Sequence, residues 1–329
     1  MATRPRARRL HRALLVALVT ASVTVPVSGA ARPAAVPAPA PAALAPLTTA
    51  SPAALAERYA AGRDGIRAAE RAAARHGDRT RAAALRVMAA PARQFLSFDG
   101  RDGGRTAEVV GDLARAERVT VLVPGSDTGL DTYARFRSGA VALQRELGGR
   151  SAVVAWLGYR TPGTVSPEVL TPALADEAAP RLVSFLGELA SAKPVARVSL
   201  LCHSYGSVVC ARAAADARVA DIVLYGSPGT GADTVRDLRT RATVWAGRGA
   251  ADWVAHVPHA QLRLPFVTIG FGTDPVSPAF GARAFDAGPG GHSDYLKPGS
   301  VSLRNIARIV AGEHAGEYTR RYAAVSRHA

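Results

Sequence analysis

Ser204 is the residue on which a chemistry can be built. It stands in Cys202-His203-Ser204-Tyr205-Gly206, between the apolar run Val198-Ser199-Leu200-Leu201 and a helix-like run over 207–214. A serine at a sharp strand-to-helix turn is lifted off the sheet, where its oxygen can meet a substrate carbonyl; this is a nucleophile elbow. Helix and strand pack closely there, so small residues are needed two positions either side of the serine. Gly206 meets that demand, while Cys202 replaces the first glycine of the pattern G-x-S-x-G.

A nucleophilic serine needs a base, an acid to orient the base, and N–H donors for the developing oxyanion. His292, in Gly291-His292-Ser293-Asp294-Tyr295, follows a Gly-rich loop that can reach back over the sheet, and it is the expected base. Asp252 lies just beyond the predicted strand 243–245 and completes the chain order Ser, Asp, His. Asp274, in Gly272-Thr273-Asp274-Pro275, is its rival and equally suits a turn. His256 and His259 share a connection with Asp252 and read as surface residues. His203 should point away from substrate and bond structurally, and His314 and His328 fall in the tail. The expected oxyanion donors are the backbone N–H of Tyr205 and that of Ser126, in the loop Val123-Pro124-Gly125-Ser126-Asp127-Thr128-Gly129. Together these residues describe acyl transfer. His292 takes the Ser204 proton, Asp252 fixes the imidazole tautomer, and water cleaves the acyl-enzyme. The sequence holds no phosphate loop, CxxC pair or HExxH, so neither cofactor nor metal is expected.

These residues must be held by a sheet. Buried-strand patterns occur at 119–123, 152–156, 198–201, 222–225, 243–245 and 266–269, and near-continuous apolar runs of that length suit parallel strands covered on both faces. Two further strands, 94–98 and 107–110, flank a Gly-rich turn. Helical spacing recurs at Tyr133, Phe136, Ala140, Leu143 and Leu147, then at Leu182, Phe185 or Leu186, and Leu189 with Pro180 expected in the first turn, then at Leu303, Ile306 and Val310 before Gly312. Alternating strands and helices predict an α/β fold with a mostly parallel, doubly wound sheet. Ser51-Pro52 starts an Ala/Arg-rich helical extension over 51–92, broken near Gly77-Asp78. The α/β domain is expected over 93–329.

The chain has 329 residues, 48% of them hydrophobic, and a formal net charge of +15. Arg4, Arg6, Arg8, Arg9 and Arg12 account for five of those charges, and they precede a short apolar stretch and small residues around Ser28-Gly29-Ala30. That is the pattern of a cleavable signal peptide over 1–30, followed by an Ala/Pro-rich linker over 31–50, and it predicts a secreted or envelope-associated protein. No basic stripe with interleaved aromatics is present, so no nucleic-acid partner is expected; attraction to an anionic envelope is compatible with the charge. Cys202 and Cys210 are the only cysteines, and they are expected as buried free thiols because they sit on different elements.

Several motifs in order give the chain a resemblance to a family. Leu122-Val123-Pro124-Gly125, Trp156-Leu157-Gly158-Tyr159, His203-Ser204-Tyr205-Gly206-Ser207, Tyr225-Gly226-Ser227-Pro228-Gly229, Asp252-Trp253-Val254 and His292-Ser293-Asp294-Tyr295 resemble a largely uncharacterised actinobacterial family of α/β-hydrolases, from about residue 95 to 312. The resemblance implies the α/β-hydrolase fold and a Ser204, Asp252, His292 triad, but no substrate.

The expected function is an exported serine hydrolase cleaving carboxylic esters, with a small-molecule or lipid acyl substrate. Trp253, Tyr205, Phe280 and Phe285 are candidates for an acyl pocket, and 159–173 for a partial lid or a plain surface loop. Two alternatives stay open: an amidase or peptidase using the same triad, and a non-catalytic envelope-binding protein on a hydrolase scaffold.

Overall fold

The apolar runs assemble into one sheet whose faces are built by strict alternation along each strand. The computed structural model describes residues 36–313 apart from 264, 266 and 267. The expected signal segment and the tail histidines therefore lie outside the described residues.

Eight strands lie in the order β1 (Gln94–Asp99), β2 (Arg105–Gly111), β4 (Ser151–Leu157), β3 (Arg118–Val123), β5 (Arg197–His203), β6 (Asp221–Tyr225), β7 (Thr243–Gly247) and β10 (Arg283–Ala284). The pairs β1–β2 and β2–β4 are antiparallel, and every other pair in the sheet is parallel. The sheet is thus mostly parallel with an antiparallel flank, as the patterning predicts.

Period-two alternation divides the core between the faces. On β5, Leu200 and Cys202 pack with Val121, Val154 and Leu224 on one side. Leu201 packs with Leu122, Val153 and Val223 on the other. The first face is covered by α4 (Ala173–Ala192) and α5 (Gly206–Ala213). The second is covered by α1 (Pro52–His76), α2 (Arg79–Met88), α3 (Tyr133–Leu147) and α6 (Val301–Ala311). Burying each Leu or Val in such a layer contributes roughly 1.5–3 kcal/mol, which is why patterning outweighs local preference here.

The N-terminal helical extension begins as a capped helix. Ser51 accepts from the Ala54 N–H, Pro52 is the first helical residue, and Gly77 closes α1 at φ 86°. It is locked to the sheet by charge as well as packing. Arg93, between α2 and β1, forks onto the fully buried Glu108 of β2 at 2.8 and 2.6 Å, and Arg137 of α3 reaches the same carboxylate at 2.8 Å. Arg81 pairs in the same bidentate way with Asp131.

Three expectations are corrected. Pro180 lies inside α4, not in its first turn. Leu174, Ala175, Ala178 and Ala179 all bury against the sheet, and that packing carries the helix through a residue that locally opposes it. Within the run 266–269, the described residues Thr268 and Ile269 do not join the main sheet. Thr268–Ile269 (β9) pairs instead with Leu262–Arg263 (β8) in a separate hairpin, and the place beside β7 is taken by Arg283–Ala284, too short a strand to leave a periodic signal. Finally, Cys202 and Cys210 form a disulfide. Helix α5 folds back over β5, so the fifth residue of the helix comes over the end of the strand. The Cα atoms are 6.4 Å apart, inside the bridging range.

Candidate active site

Every expected site residue lies just past the C-terminal end of a strand. Ser126 follows β3, Ser204 follows β5, Asp252 follows β7 and His292 follows β10. In open α/β sheets this edge is where loops converge and ligands bind.

Ser204 has φ 50°, a left-handed conformation that a residue with a β-carbon adopts only under constraint. The constraint is visible. The Ser204 N–H donates to the Tyr225 carbonyl at 3.1 Å, and the Ser204 carbonyl accepts from the Ser207 N–H as α5 begins. Two glycines let the β3 loop press against this turn. A Cβ on Gly206 would fall 2.6 Å from the Pro124 carbonyl oxygen, and one on Gly125 would fall 2.6 Å from the Ser204 Cβ. Both positions exclude any side chain. At Cys202, by contrast, the side chain is accommodated, because it joins Cys210 rather than pushing α5 away.

The structure brings Ser204, His292 and Asp252 together. His292 Nε2 is 2.9 Å from Ser204 Oγ, and His292 Nδ1 is 3.0 and 3.1 Å from the two Asp252 oxygens. With Nδ1–H donating to the carboxylate, Nε2 carries the lone pair facing the hydroxyl. Asp252 is buried, which by itself raises a carboxyl pKa. Hydrogen bonds from His292, from Tyr295 and from the Val254 N–H outweigh that and hold it below its ordinary value. Among the described residues, the N–H groups of Tyr205 and Ser126 have no protein acceptor. Tyr205 sits at the positive end of α5.

Two supporting residues escaped or only partly yielded to the sequence. Tyr295 donates to Asp252 Oδ2 at 2.5 Å and accepts from the Gly249 N–H at 3.0 Å, so one phenol ties the carboxylate to its own loop. Its spacing of three from His292 was the available signal. His203 does turn from substrate, as expected. Its Nε2–H donates to the His292 carbonyl at 2.8 Å and its ring lies 4.7 Å from that of His292, centroid to centroid. Burial and the neighbouring His292 lower its pKa to about 4, so it is a neutral strut.

The remaining candidates fall elsewhere. Asp274 pairs with Arg248 at 2.7 Å and lies 3.5 Å from His259. His259 is therefore a half-buried partner of that pair and not the surface residue expected, whereas His256 is exposed. Phe280 and Phe285 are core residues, and Tyr205 is buried with its hydroxyl donating to the Thr171 carbonyl. Trp253 is half exposed, with its ring 4.7 Å from His292. The loop over 160–172 is bonded to the oxyanion loop, through the Thr128 N–H to Thr161 and the Thr164 N–H to Asp127. Among the described residues no cluster of metal-ligating side chains occurs.

Comparison with known proteins bears on this geometry. The sequence profile of a family described as Alpha/beta hydrolase matches residues 99–262. The chain is 29% identical over 266 residues to the uncharacterized protein Rv2079 of Mycobacterium tuberculosis, covering 66% of this chain and 38% of that protein. It is 33% identical over 178 residues to the uncharacterized protein Rv0963c of the same organism, covering 47% of this chain and 66% of that one. The chain thus spans well under half the length of the first of these relatives. Among solved structures, XC6422 from Xanthomonas campestris, a serine hydrolase described as lacking a lid, superposes with a TM-score of 0.44 at 19% identity, covering 68% of this chain and 95% of that one.

Proposed function

The chain belongs to the α/β-hydrolases, and from that membership we propose that it is a serine hydrolase of carboxylic esters using Ser204, His292 and Asp252. The observation that carries the reading is the unbroken contact line from a left-handed serine through His292 to a buried carboxylate, at 2.9 and 3.0 Å.

His292 Nε2 accepts the proton of Ser204 as Oγ attacks the acyl carbon. The imidazolium so formed keeps its Nδ1–H on Asp252, whose retained charge stabilises it. The carbonyl oxygen, now negative, takes the N–H groups of Ser126 and Tyr205; one such donor is typically worth roughly 10²–10³ in turnover. His292 then returns the proton to the leaving alcohol. Water enters and is deprotonated by the same nitrogen as it attacks the acyl carbon; His292 then gives that proton to Ser204 Oγ as the ester bond breaks and the acid leaves.

We also propose that residues 1–30 direct export; the stretch expected as a linker over 31–50 is in part folded, since Leu47 and Ala50 are buried in the core. The Cys202–Cys210 bond supports export, since buried disulfides persist in oxidising compartments.

A fluorophosphonate probe tests the nucleophile without any guess at substrate. It should label the wild type at Ser204 and leave Ser204→Ala unlabelled. Short-chain p-nitrophenyl esters should be hydrolysed by the first protein only. Equal labelling or equal hydrolysis by both would refute the assignment.

A further inference from the structure

Exposed apolar side chains are ordinary when scattered, and informative when they gather. Seven large apolar side chains are exposed among the described residues: Val87, Val165, Leu170, Val195, Trp253, Leu262 and Ile269. Five of the seven connect to the loops of the candidate active site. Val165 follows Thr164, whose N–H donates to Asp127 next to the oxyanion donor Ser126. Leu170 precedes Thr171, whose carbonyl accepts from the hydroxyl of Tyr205. The Trp253 ring stands beside His292. Ile269 adjoins Gly270, whose N–H donates to the Leu170 carbonyl at 2.9 Å, and Leu262 is the direct cross-strand partner of Ile269. The other two lie apart: Val87 on α2, and Val195 just before β5, at the opposite end of the sheet.

The charge pattern selects among occupants for such a rim. Residues 253–273 contain no Asp or Glu, while they hold Arg263, His256 and His259. Of the acids nearby, Glu168 pairs with Arg160 and Asp127 accepts from the Thr164 N–H, while the exposed Asp233 lies beside Gly272. The whole chain carries +15. An apolar rim with few acidic residues on a cationic protein complements an anionic lipid surface, where apolar side chains enter the acyl boundary and basic groups remain among the head groups.

We propose that the mouth of the active site docks on an anionic phospholipid surface through Val165, Leu170, Trp253, Leu262 and Ile269, so that its ester substrate is drawn from lipid. The substrate assignment rests on the hydrolase reading given above; the docking does not. The same arrangement accounts for the exposure of Leu262 and Ile269, which face each other in a two-strand hairpin.

Trp253 supplies a local probe, because Trp156 and Trp245 are each only 3% exposed. Full-length Ser204→Ala protein, which removes turnover from the measurement, is mixed with vesicles of phosphatidylcholine and phosphatidylglycerol in equal parts. Docking should shift tryptophan emission to the blue, protect it from acrylamide, and carry the protein into the vesicle pellet. Added salt or replacement by pure phosphatidylcholine vesicles should weaken binding. In that background Leu262→Ser with Ile269→Ser should weaken partitioning on the order of tenfold or more. Without the Ser204 change, the same double variant should keep wild-type turnover of a soluble p-nitrophenyl ester, which shows that it is folded. Absence of vesicle binding overturns the proposal. So does binding that the double variant leaves intact, since another part of the chain would then be responsible. A rim that causes reversible self-association instead, lost in the double variant and indifferent to vesicles, also overturns it. Failure of the probe to label Ser204, with vesicle binding intact, would remove the catalytic reading and leave the docking face standing.

Discussion

At the scale of single residues, the site depends on how firmly Asp252 is held. Its Oδ1 takes the Val254 N–H at 2.9 Å, and its Oδ2 takes the Tyr295 hydroxyl at 2.5 Å. Tyr295→Phe keeps the ring and removes one charge-assisted bond, an interaction of roughly 1.5–3 kcal/mol. Turnover of a p-nitrophenyl ester should fall about tenfold with little change in KM. Asp252 should titrate at higher pH in the variant, as read by carboxylate NMR, because one of the bonds that hold it below its ordinary pKa is gone. A purely structural tyrosine would lower active enzyme without moving that titration. Ser204, Asp252 and His292 were legible from order and flanking context, because each follows a strand end with a recognisable neighbourhood. Tyr295 was not, because a tyrosine three residues beyond a histidine has no fixed direction until the loop is folded.

At the scale of elements, the turn from β5 into α5 is held by the bond between Cys202 and Cys210. The loop it closes is short, and loop-closure entropy puts its worth at roughly 2 kcal/mol. Cys202→Ser with Cys210→Ser should lower stability by about that amount in denaturant melts. Residual ester hydrolysis should be lost at a lower temperature than in the parent. Unchanged melting would mean that packing alone holds the turn. Sequence position places the two cysteines on different elements, but in a strand–turn–helix unit the helix returns over the strand and brings them within reach. The strands β1 to β7 were readable because both faces of the sheet are buried and their apolar runs are long. The hairpin Leu262–Arg263 with Thr268–Ile269 misled for the converse reason: an apolar run resembles core whatever actually covers it.

At the scale of the whole molecule, acid stability has a specific window. His203 has a folded pKa of about 4 against an ordinary 6.5, so the unfolded chain takes up the proton first. Its contribution is complete above about pH 6.5 and declines as the pH falls toward 4. The shift corresponds to at most on the order of 3 kcal/mol, since the ring edge keeps some contact with solvent. Thermal melts from pH 7 to 4.5 should therefore fall steadily, and His203→Asn, which preserves a donor toward the His292 carbonyl, should flatten that slope. An identical slope in both proteins would assign the acid sensitivity to other groups. The sheet carries one further consequence. At one rim, α1 lies so near β1 that a Cβ on Gly62 would be 2.8 Å from the Phe95 carbonyl oxygen; at the other, the final strand is only Arg283–Ala284. The border at β10 therefore offers no long, bare ladder of amides, and such ladders are what seed ordered aggregation between chains. A further strand arriving there would find only two residues to pair with.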